Sequence, residues 1–225
     1  MTSITLLTGL AKPLPGSEAL SGIAKAPVER PLRLGTNGFE GDEQADRRVH
    51  GGPEKAVHHY PFDHYPVWRT ELGFLPVLQR AGGFGENISA TGPTEASVAV
   101  GDIFRLGTAL IQVSQGRQPC WKLNRRFEVL DMARRVQRTG RTGWYYRVLQ
   151  PGTVEPQDRL DLIDRLAPDW TLHRLWHALY VDRLNRQELT GIAALDVLAE
   201  GWRKYAARRL DSGKVEDWNR RLDGS

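Results

Sequence analysis

Short apolar runs separated by glycine and proline recur along the first two thirds of the chain, and this spacing limits the fold more than any other feature. Residues 4–7, 32–34, 98–104 and 109–113 have strand length, and the Leu106-Gly107 pair between the last two predicts a hairpin. Many short strands with turn residues between them favour a β-barrel over a parallel α/β sheet. The 23 glycines and 13 prolines among 225 residues are typical of such a loop-rich β fold.

The pattern changes at residue 167, where helical periodicity begins. A stripe at i, i+3, i+4 and i+7 predicts an amphipathic helix, with Asp169 as its N-cap; its members are Leu172, Leu175, Trp176 and Leu179. Further helices are predicted at 183–189, 192–199 and 202–210, and Asp211-Ser212-Gly213 supplies turn residues at the end. The predicted organisation is therefore a mainly β barrel domain over 1–166 and a small helical domain over 167–225.

Composition and charge exclude some classes of protein and leave others open. The start of the chain lacks the features of a signal peptide, and no apolar run reaches transmembrane length. One cysteine rules out an internal disulfide, so a reduced, cytoplasmic protein with no membrane association is expected. The net charge of +4 suits an anionic ligand as well as it suits nucleic acid.

The single cysteine, Cys120, lies in the segment S-Q-G-R-Q-P-C-W-K-L-N, which is predicted to connect the strand at 109–113 to a helix at 126–138. Cationic residues surround it, and positive neighbours favour the thiolate, the form that binds metals or attacks carbon. These neighbours are Arg117, Lys122, Arg125 and Arg126. A buried cysteine acting as a small hydrophobic residue is the alternative.

Two loops rich in glycine and polar residues are candidates for the rest of a site. The first covers 38–53 and includes His50, and the second covers 82–88. The second lacks the glycine pattern of a Rossmann site. A zinc site made of His58, His59 and His64 is disfavoured, because the first two point to opposite faces of a predicted strand.

Five short motifs occur together in a characteristic order: Gly41-Asp42, His50-Gly51-Gly52-Pro53, Phe84-Gly85-Glu86-Asn87, Gly101-Asp102 and Pro119-Cys120. In this combination the chain resembles MOSC-domain proteins of the YiiM type, which carry a small three-helix domain after the MOSC barrel. The resemblance implies a β-barrel with short helices that binds the molybdenum cofactor (molybdopterin), with Cys120 as the protein ligand of molybdenum. It also implies reduction of N-hydroxylated bases such as 6-N-hydroxylaminopurine, a detoxification role, with electrons from a separate flavoprotein. Gly116 departs from the family pattern, where a proline is expected in many members.

The chemistry of the residues gives each candidate a role. A soft thiolate suits a metal held by sulfur ligands, and cationic side chains suit the phosphate of the cofactor. The predicted cofactor-binding residues are Lys55, Gly85, Glu86, Arg117 and Lys122. His50 is the predicted proton donor to the leaving oxygen, and Asn87 is predicted to orient the substrate. Asp42 and Glu86 are also expected to fix their loops.

Two other classes of function remain open from the residues. A cysteine hydrolase or transferase would use Cys120 and His50, with Asn87 or Asp102 as the orienting group. A DNA-binding module would use a helix-turn-helix at 183–199 with its turn at Thr190-Gly191. Its phosphate contacts would be Arg203, Lys204, Arg208 and Arg209. The apolar content of these helices favours packing on the barrel or on a second subunit, so nucleic acid is disfavoured and a homodimer is allowed.

Overall fold

The computed structural model describes residues 4–45 and 51–224. The strands are β1 Ile4–Thr8, β2 Lys12–Pro13, β3 Leu20–Ser21, β4 Ala26–Pro27, β5 Leu32–Gly35, β6 Gly38–Phe39, β7 Val57–Pro61, β8 Ile88–Ala90, β9 Asp102–Leu106, β10 Ala109–Gly116, β11 Trp144–Gln150, β12 Gly152–Val154 and β13 Leu160–Arg165. The helices are α1 His64–Leu72, α2 Lys122–Phe127, α3 Met132–Thr139, α4 Leu172–Tyr180, α5 Arg186–Ala193, α6 Glu200–Ser212 and α7 Asn219–Asp223. Two short 3₁₀ helices cover Pro53–Lys55 and Pro76–Leu78.

Eight of the described strands form one curled sheet in the order β13-β9-β10-β11-β7-β8-β1-β4. Neighbouring strands pair antiparallel except β7 and β8, which are parallel. The predicted hairpin at Leu106-Gly107 is confirmed, because β9 and β10 pair with Ala109 opposite Leu106. The mainly β barrel with short helices is therefore confirmed.

Strand β10 brings the chain to Cys120. Seven of its eight residues are buried, and its pairing with β11 shifts register between Val113 and Gln115. A β-bulge bends the strand and increases its twist, which changes the direction of the chain beyond it. The loop that carries Cys120 leaves the sheet directly after this irregularity.

A hydrophobic core joins the barrel to the C-terminal helices. Buried residues of β10 and β11 belong to the same cluster as Leu175 and Leu179 of α4, Ile192 of α5 and Trp202 of α6. The predicted helical stripe is therefore a packing surface. The boundary at residue 167 between the two predicted domains stays a prediction, since the core is continuous across it.

Several predicted helix boundaries are wrong. The helix predicted at 126–138 is two helices, because Glu128 adopts a left-handed conformation with φ of 56° that ends α2. The side chain of Asn124 accepts a hydrogen bond from the Ala133 backbone N–H at 2.8 Å, which ties the second helix to the first. The N-cap of α4 is Thr171, whose side chain accepts from the Arg174 backbone N–H, and not Asp169.

The helix-turn-helix of the disfavoured DNA-binding alternative does not occur in the described residues 183–199. Thr190 and Gly191 lie inside α5, with no turn between them. Gly191 is placed there by packing, because a Cβ at this position would be 2.4 Å from the Trp170 ring. Arg209, a predicted phosphate contact, is buried and paired with Glu216 at 2.9 Å.

The chain ends in a short helix that the sequence pattern did not predict. Helix α7 packs on the barrel, where Leu222 joins the cluster that contains Phe84 and Phe127. The Arg221 carbonyl accepts a hydrogen bond from the Trp121 backbone N–H at 2.8 Å. The C-terminal segment thereby contacts the loop that carries Cys120. Among the described residues, no helix combines the length and the apolar character needed to cross a bilayer.

Candidate active site

Cys120 is positioned by the strand before it and the helix after it. Its loop covers residues 117–121, between β10 and α2, and its carbonyl accepts from the Leu123 backbone N–H at 3.0 Å. The residue is 8% exposed, and its thiol forms no disulfide. The prediction that Cys120 lies on a strand-to-helix loop is confirmed.

Cys120 lines a small cavity of about 80 Å³ that is partly open to solvent. We call this space the barrel cavity. The predicted site residues Lys55, Gly85, Asn87, Arg117 and Lys122 line it together with Cys120. The remaining lining residues are Ser21, Gly22, Ile23, Lys25, Asp42, Glu43, Gln44, Ala45, His58, Phe84 and Tyr145. The fold thus brings together residues that are about 100 positions apart in sequence.

One wall of the barrel cavity is a buried charge network centred on Asp42. Its carboxylate pairs with the Lys25 ammonium and accepts from the Gly9 backbone N–H and the Asn87 amide, the last two at 2.9 Å. Both charged side chains are nearly buried, with 5% of Lys25 and 4% of Asp42 exposed. Burial lowers the pKa of Lys25 more than Asp42 raises it. The network holds this charged wall in place through bonds within the protein.

Asn87 connects this network to the sheet. Its amide also donates to the Leu7 carbonyl at 3.2 Å, and its side-chain oxygen accepts from the His58 backbone N–H at 3.1 Å. Both amide hydrogens and one oxygen lone pair are therefore used within the protein. These contacts give Asn87 a positioning role, while its predicted contact with the substrate stays a prediction.

Arg117 and Tyr145 form a second wall of the barrel cavity. Arg117 is 5% exposed, and one of its terminal nitrogens, Nη1, is buried without a hydrogen-bond partner among the described residues. Burial raises the pKa of Tyr145, Arg117 lowers it by charge and by a hydrogen bond, and the Cys120 sulfur raises it. A buried guanidinium with an unused donor is costly unless an anion approaches it. The cavity is therefore prepared for an anionic group next to Cys120.

His58 and His59 lie on opposite faces of β7, as the alternation of a strand predicts. His58 lines the barrel cavity and packs against the Tyr145 ring at 5.0 Å between centroids. His59 faces the core, stacks on Trp144 and hydrogen-bonds to the Tyr146 hydroxyl at 3.0 Å. Among the described residues no group of three or more potential metal-binding side chains occurs, so the zinc interpretation has no support.

His58 supplies a neutral imidazole to the barrel cavity. Burial lowers its pKa well below the ordinary value, and the charges of Arg117 and Lys25 lower it further, while a hydrogen bond to the Gly85 carbonyl acts in the opposite direction. Nε2 is buried and has no partner in the described part of the chain. Since the other ring nitrogen donates to Gly85, Nε2 is available to accept a hydrogen bond.

Glu86 does not line the barrel cavity, so its predicted contact with the cofactor is not supported. Its buried carboxylate accepts from the Tyr65 hydroxyl at 2.5 Å and from the backbone N–H groups of Gly82 and Phe84 at 2.7 and 3.0 Å. Burial raises its pKa despite these donors. Glu86 therefore fixes the loop that presents Gly85, which agrees with the other role expected from the sequence.

Two further predicted residues are placed differently. His50, the predicted proton donor, lies outside the described residues. Asp102, the alternative orienting group of a cysteine hydrolase, does not line the barrel cavity, because Arg165 holds its carboxylate through bonds of 2.8 Å. Asp102 is therefore not placed to orient a group beside Cys120, while the hydrolase alternative with Cys120, His50 and Asn87 stays a prediction.

A second and wider cavity of about 910 Å³, also open to solvent, adjoins the first. We call it the helical chamber. Its aromatic side chains are Trp121, Tyr145, Trp202, Tyr205 and Trp218, and it shares Lys55, Cys120, Lys122 and Tyr145 with the barrel cavity. The prediction that the helical segment supplies no catalytic group stays a prediction, but its side chains reach the space beside Cys120.

Sequence reasoning missed Lys25, His58 and Tyr145 as members of the barrel cavity. Strand alternation could have indicated His58 and Tyr145. The two residues pair directly across β7 and β11, so their side chains lie on the same face of the sheet. Lys25 had no such signal, since it lies in a loop and reaches Asp42 only through the tertiary fold.

Comparison with known proteins agrees with this fold. A model of the MOSC domain matches residues 46–161, and a model of the YiiM-like 3-alpha helix domain matches residues 170–213. The chain belongs to the MOSC-domain family.

Its relatives place it more narrowly, in the YiiM-type group of that family. It is 44% identical to Protein YiiM of Escherichia coli (strain K12) over 208 residues, which are 91% of each protein. The crystal structure of YiiM from Escherichia coli superposes with a TM-score of 0.83 and covers 98% of both chains. In this superposition 35% of the residues are identical. A protein named "Reductase" from Gibberella moniliformis is 42% identical over 158 residues, which are 70% of this chain and 28% of that protein.

Proposed function

We propose that this protein binds the molybdenum cofactor and reduces N-hydroxylated bases and related compounds, such as 6-N-hydroxylaminopurine, to their amino forms. The observation that carries the proposal is the single cysteine of the chain in a cavity beside a buried, incompletely paired Arg117. Membership of the MOSC family and a relative named as a reductase support an oxidoreductase.

The residues of the barrel cavity fit the cofactor chemically. The Cys120 thiolate is a suitable ligand for molybdenum, which prefers sulfur donors in such a cofactor. Arg117 offers an unused donor to a phosphate, and Lys55 and Lys122 add positive charge. His58 Nε2 can accept a hydrogen bond from a ring N–H, since it has no partner among the described residues.

The reaction consumes two electrons and two protons, breaks the N–O bond, and releases an amine and one molecule of water. The bound cofactor supplies the two-electron chemistry. The charge network of Lys25, Asp42 and Asn87 keeps the cavity wall in place during this change of charge. A neutral His58 is unsuited to protonating the leaving oxygen, so the proton donor is either His50, as the sequence predicts, or solvent.

The electron donor in this proposal is a separate flavoprotein, as the resemblance to YiiM-type proteins implies. The physiological setting is detoxification in the cytoplasm, with the protein as a monomer or a homodimer. Neither a membrane nor a nucleic acid takes part.

The experiment compares wild type with Cys120→Ser, expressed in a host that makes the cofactor. A reduced viologen dye replaces the natural electron donor, so that the outcome does not depend on the partner. Wild type should convert 6-N-hydroxylaminopurine to adenine, and Cys120→Ser should have no measurable rate while its circular dichroism spectrum is unchanged. Lys204→Ala, an exposed charge change outside both cavities, is the control and should retain the rate. Full activity of Cys120→Ser would contradict the proposal.

A further inference from the structure

The helical chamber has the composition of a site for a flat ring. Three aromatic side chains from the C-terminal segment line it, namely Trp202, Tyr205 and Trp218. Aromatic faces stack on planar heterocycles with little dependence on the identity of the ring. Its volume of about 910 Å³ lies at the upper end of the range for small-molecule pockets. The chamber can therefore hold more than a single ring.

In the part of the chain that the structure describes, two arginines on the chamber wall lack the ion pairs and hydrogen bonds that hold neighbouring arginines of the C-terminal segment. Arg208 and Arg220 line the chamber and are exposed, and among the described residues neither forms an ion pair. The Arg208 guanidinium lies 4.8 Å from the centroid of the Tyr205 ring. In contrast, Arg209 is paired with Glu216 at 2.9 Å, and Arg221 donates to Gln137 at 2.5 Å. Of the described arginines that line the chamber, only Arg208 and Arg220 have guanidinium groups without an ion pair or a hydrogen bond.

The acidic residues of the chamber offset only part of the positive charge. Glu216 is paired with Arg209, while Asp217 accepts from the Asn219 backbone N–H at 2.8 Å and keeps its negative charge, which leaves one acid against the two arginines. The chamber also offers a donor, because the buried indole N–H of Trp202 has no hydrogen-bond partner in the described part of the chain. Stacking faces, a spare donor and two arginines together match a planar base joined to a phosphate.

We propose that the helical chamber binds substrates as nucleoside monophosphates, with the base among the aromatic side chains and the phosphate at Arg208 and Arg220. This proposal rests on the proposed function, since it names the substrate class of the centre at Cys120. The chamber and the barrel cavity share Cys120 and Tyr145, so a ligand held in the chamber adjoins the proposed reaction centre.

The test measures binding of the amino product in three forms, namely adenine, adenosine and adenosine 5′-monophosphate, to the purified full-length protein by calorimetry. The monophosphate should bind about tenfold or more tightly than adenosine, because hydrogen bonds to charged groups are among the strong ones. The double variant Arg208→Ala/Arg220→Ala should lose this preference and keep its affinity for adenosine. Tyr205→Leu should weaken the binding of all three forms.

Lys204→Ala is the matched control. It removes a positive charge from the same helix, but its ammonium pairs with Glu200 and does not line the chamber. It should retain the preference for the monophosphate. Equal affinity for adenosine and its monophosphate in wild type would overturn the proposal, as would a loss in Lys204→Ala as large as that in the double variant.

Metal analysis of the same preparations separates the two proposals. Protein that contains molybdenum but shows no phosphate preference would overturn the substrate class alone. Protein that lacks molybdenum but prefers the monophosphate would overturn the proposed function and leave the chamber as a nucleotide site.

Discussion

The two walls around Cys120 are built on different principles. In the barrel wall the charges are buried and bonded to one another, as Lys25, Asp42 and Asn87 illustrate. On the helical side, Trp202 is buried in the core, Tyr205 is half-buried, and Arg208 is exposed. A buried, paired charge is fixed in position whether or not a ligand is present. An exposed guanidinium can change its rotamer to contact a ligand. The difference suggests a rigid half for the reacting centre and an adaptable half for the rest of the substrate.

The largest effect is expected where the barrel wall is broken. Asp42→Ala leaves the Lys25 ammonium buried without its partner, which should lower the free energy of unfolding by about 3–5 kcal/mol. Urea denaturation measures this loss. Asp196→Ala is the control, because Asp196 is 95% exposed and its contact with Arg203 is long at 3.4 Å. It should leave the unfolding midpoint unchanged. If both variants behaved alike, the barrel wall would not be the rigid half.

A pH titration tests the burial of the core behind the barrel wall. Burial lowers the pKa of His59 to about 3, so the folded state binds fewer protons than the unfolded state from there up to the unfolded value of about 6.5. Stability should therefore fall as pH drops through this window, with His59 contributing about 1.4 kcal/mol per pH unit.

His59→Phe should flatten that slope by about this amount between pH 4 and 6, even though the Tyr146 hydroxyl loses its partner. The readout is the slope of the unfolding free energy against pH, and the absolute stability does not enter it. An unchanged slope would mean that His59 is protonated in the folded protein, and the core behind the wall would then be wetter than the structure indicates.

The smallest effect is expected where the two walls meet. A Cβ at Gly116 would lie 3.1 Å from the Trp202 ring, so Gly116→Ala should cost about 1 kcal/mol of stability through overpacking. The same change in a Trp202→Leu background should cost little, because the obstructing ring is gone. A double-mutant cycle on the unfolding free energies measures the coupling. If the two losses of unfolding free energy were additive, Gly116 and Trp202 would not be in steric contact.

The sequence predicted those parts of the fold that depend on local pattern. The hairpin at Leu106-Gly107 follows from short-range spacing and occurs as predicted. The predicted helical stripe also occurs, with its three leucines in the core, while its fourth member, Trp176, is half-buried and donates to the Gln137 carbonyl. The break at Glu128 and the uninterrupted helix through Gly191 did not follow, because each depends on a tertiary contact. In the first the Asn124 side chain bridges two helices, and in the second Trp170 occupies the space beside the glycine.

The candidate site was predictable to a similar extent. Cys120, Arg117 and Lys122 were recognisable as a cationic loop around a lone cysteine, and the cavity contains all three. Lys25 and the aromatic wall from α6 were not, since nothing near Cys120 in sequence indicates what the fold brings to it. Gly116 connects the predictable loop to the unpredicted aromatic wall. It departs from the family pattern, and its lack of a side chain leaves room for the Trp202 ring.

The most direct test of the account is X-ray absorption at the molybdenum edge, recorded on wild type and on Cys120→Ser from a host that makes the cofactor. If Cys120 ligates molybdenum, the serine variant should have one sulfur neighbour fewer at the metal, or should retain no metal at all. An identical number of sulfur neighbours at full molybdenum occupancy in both proteins would contradict the central claim.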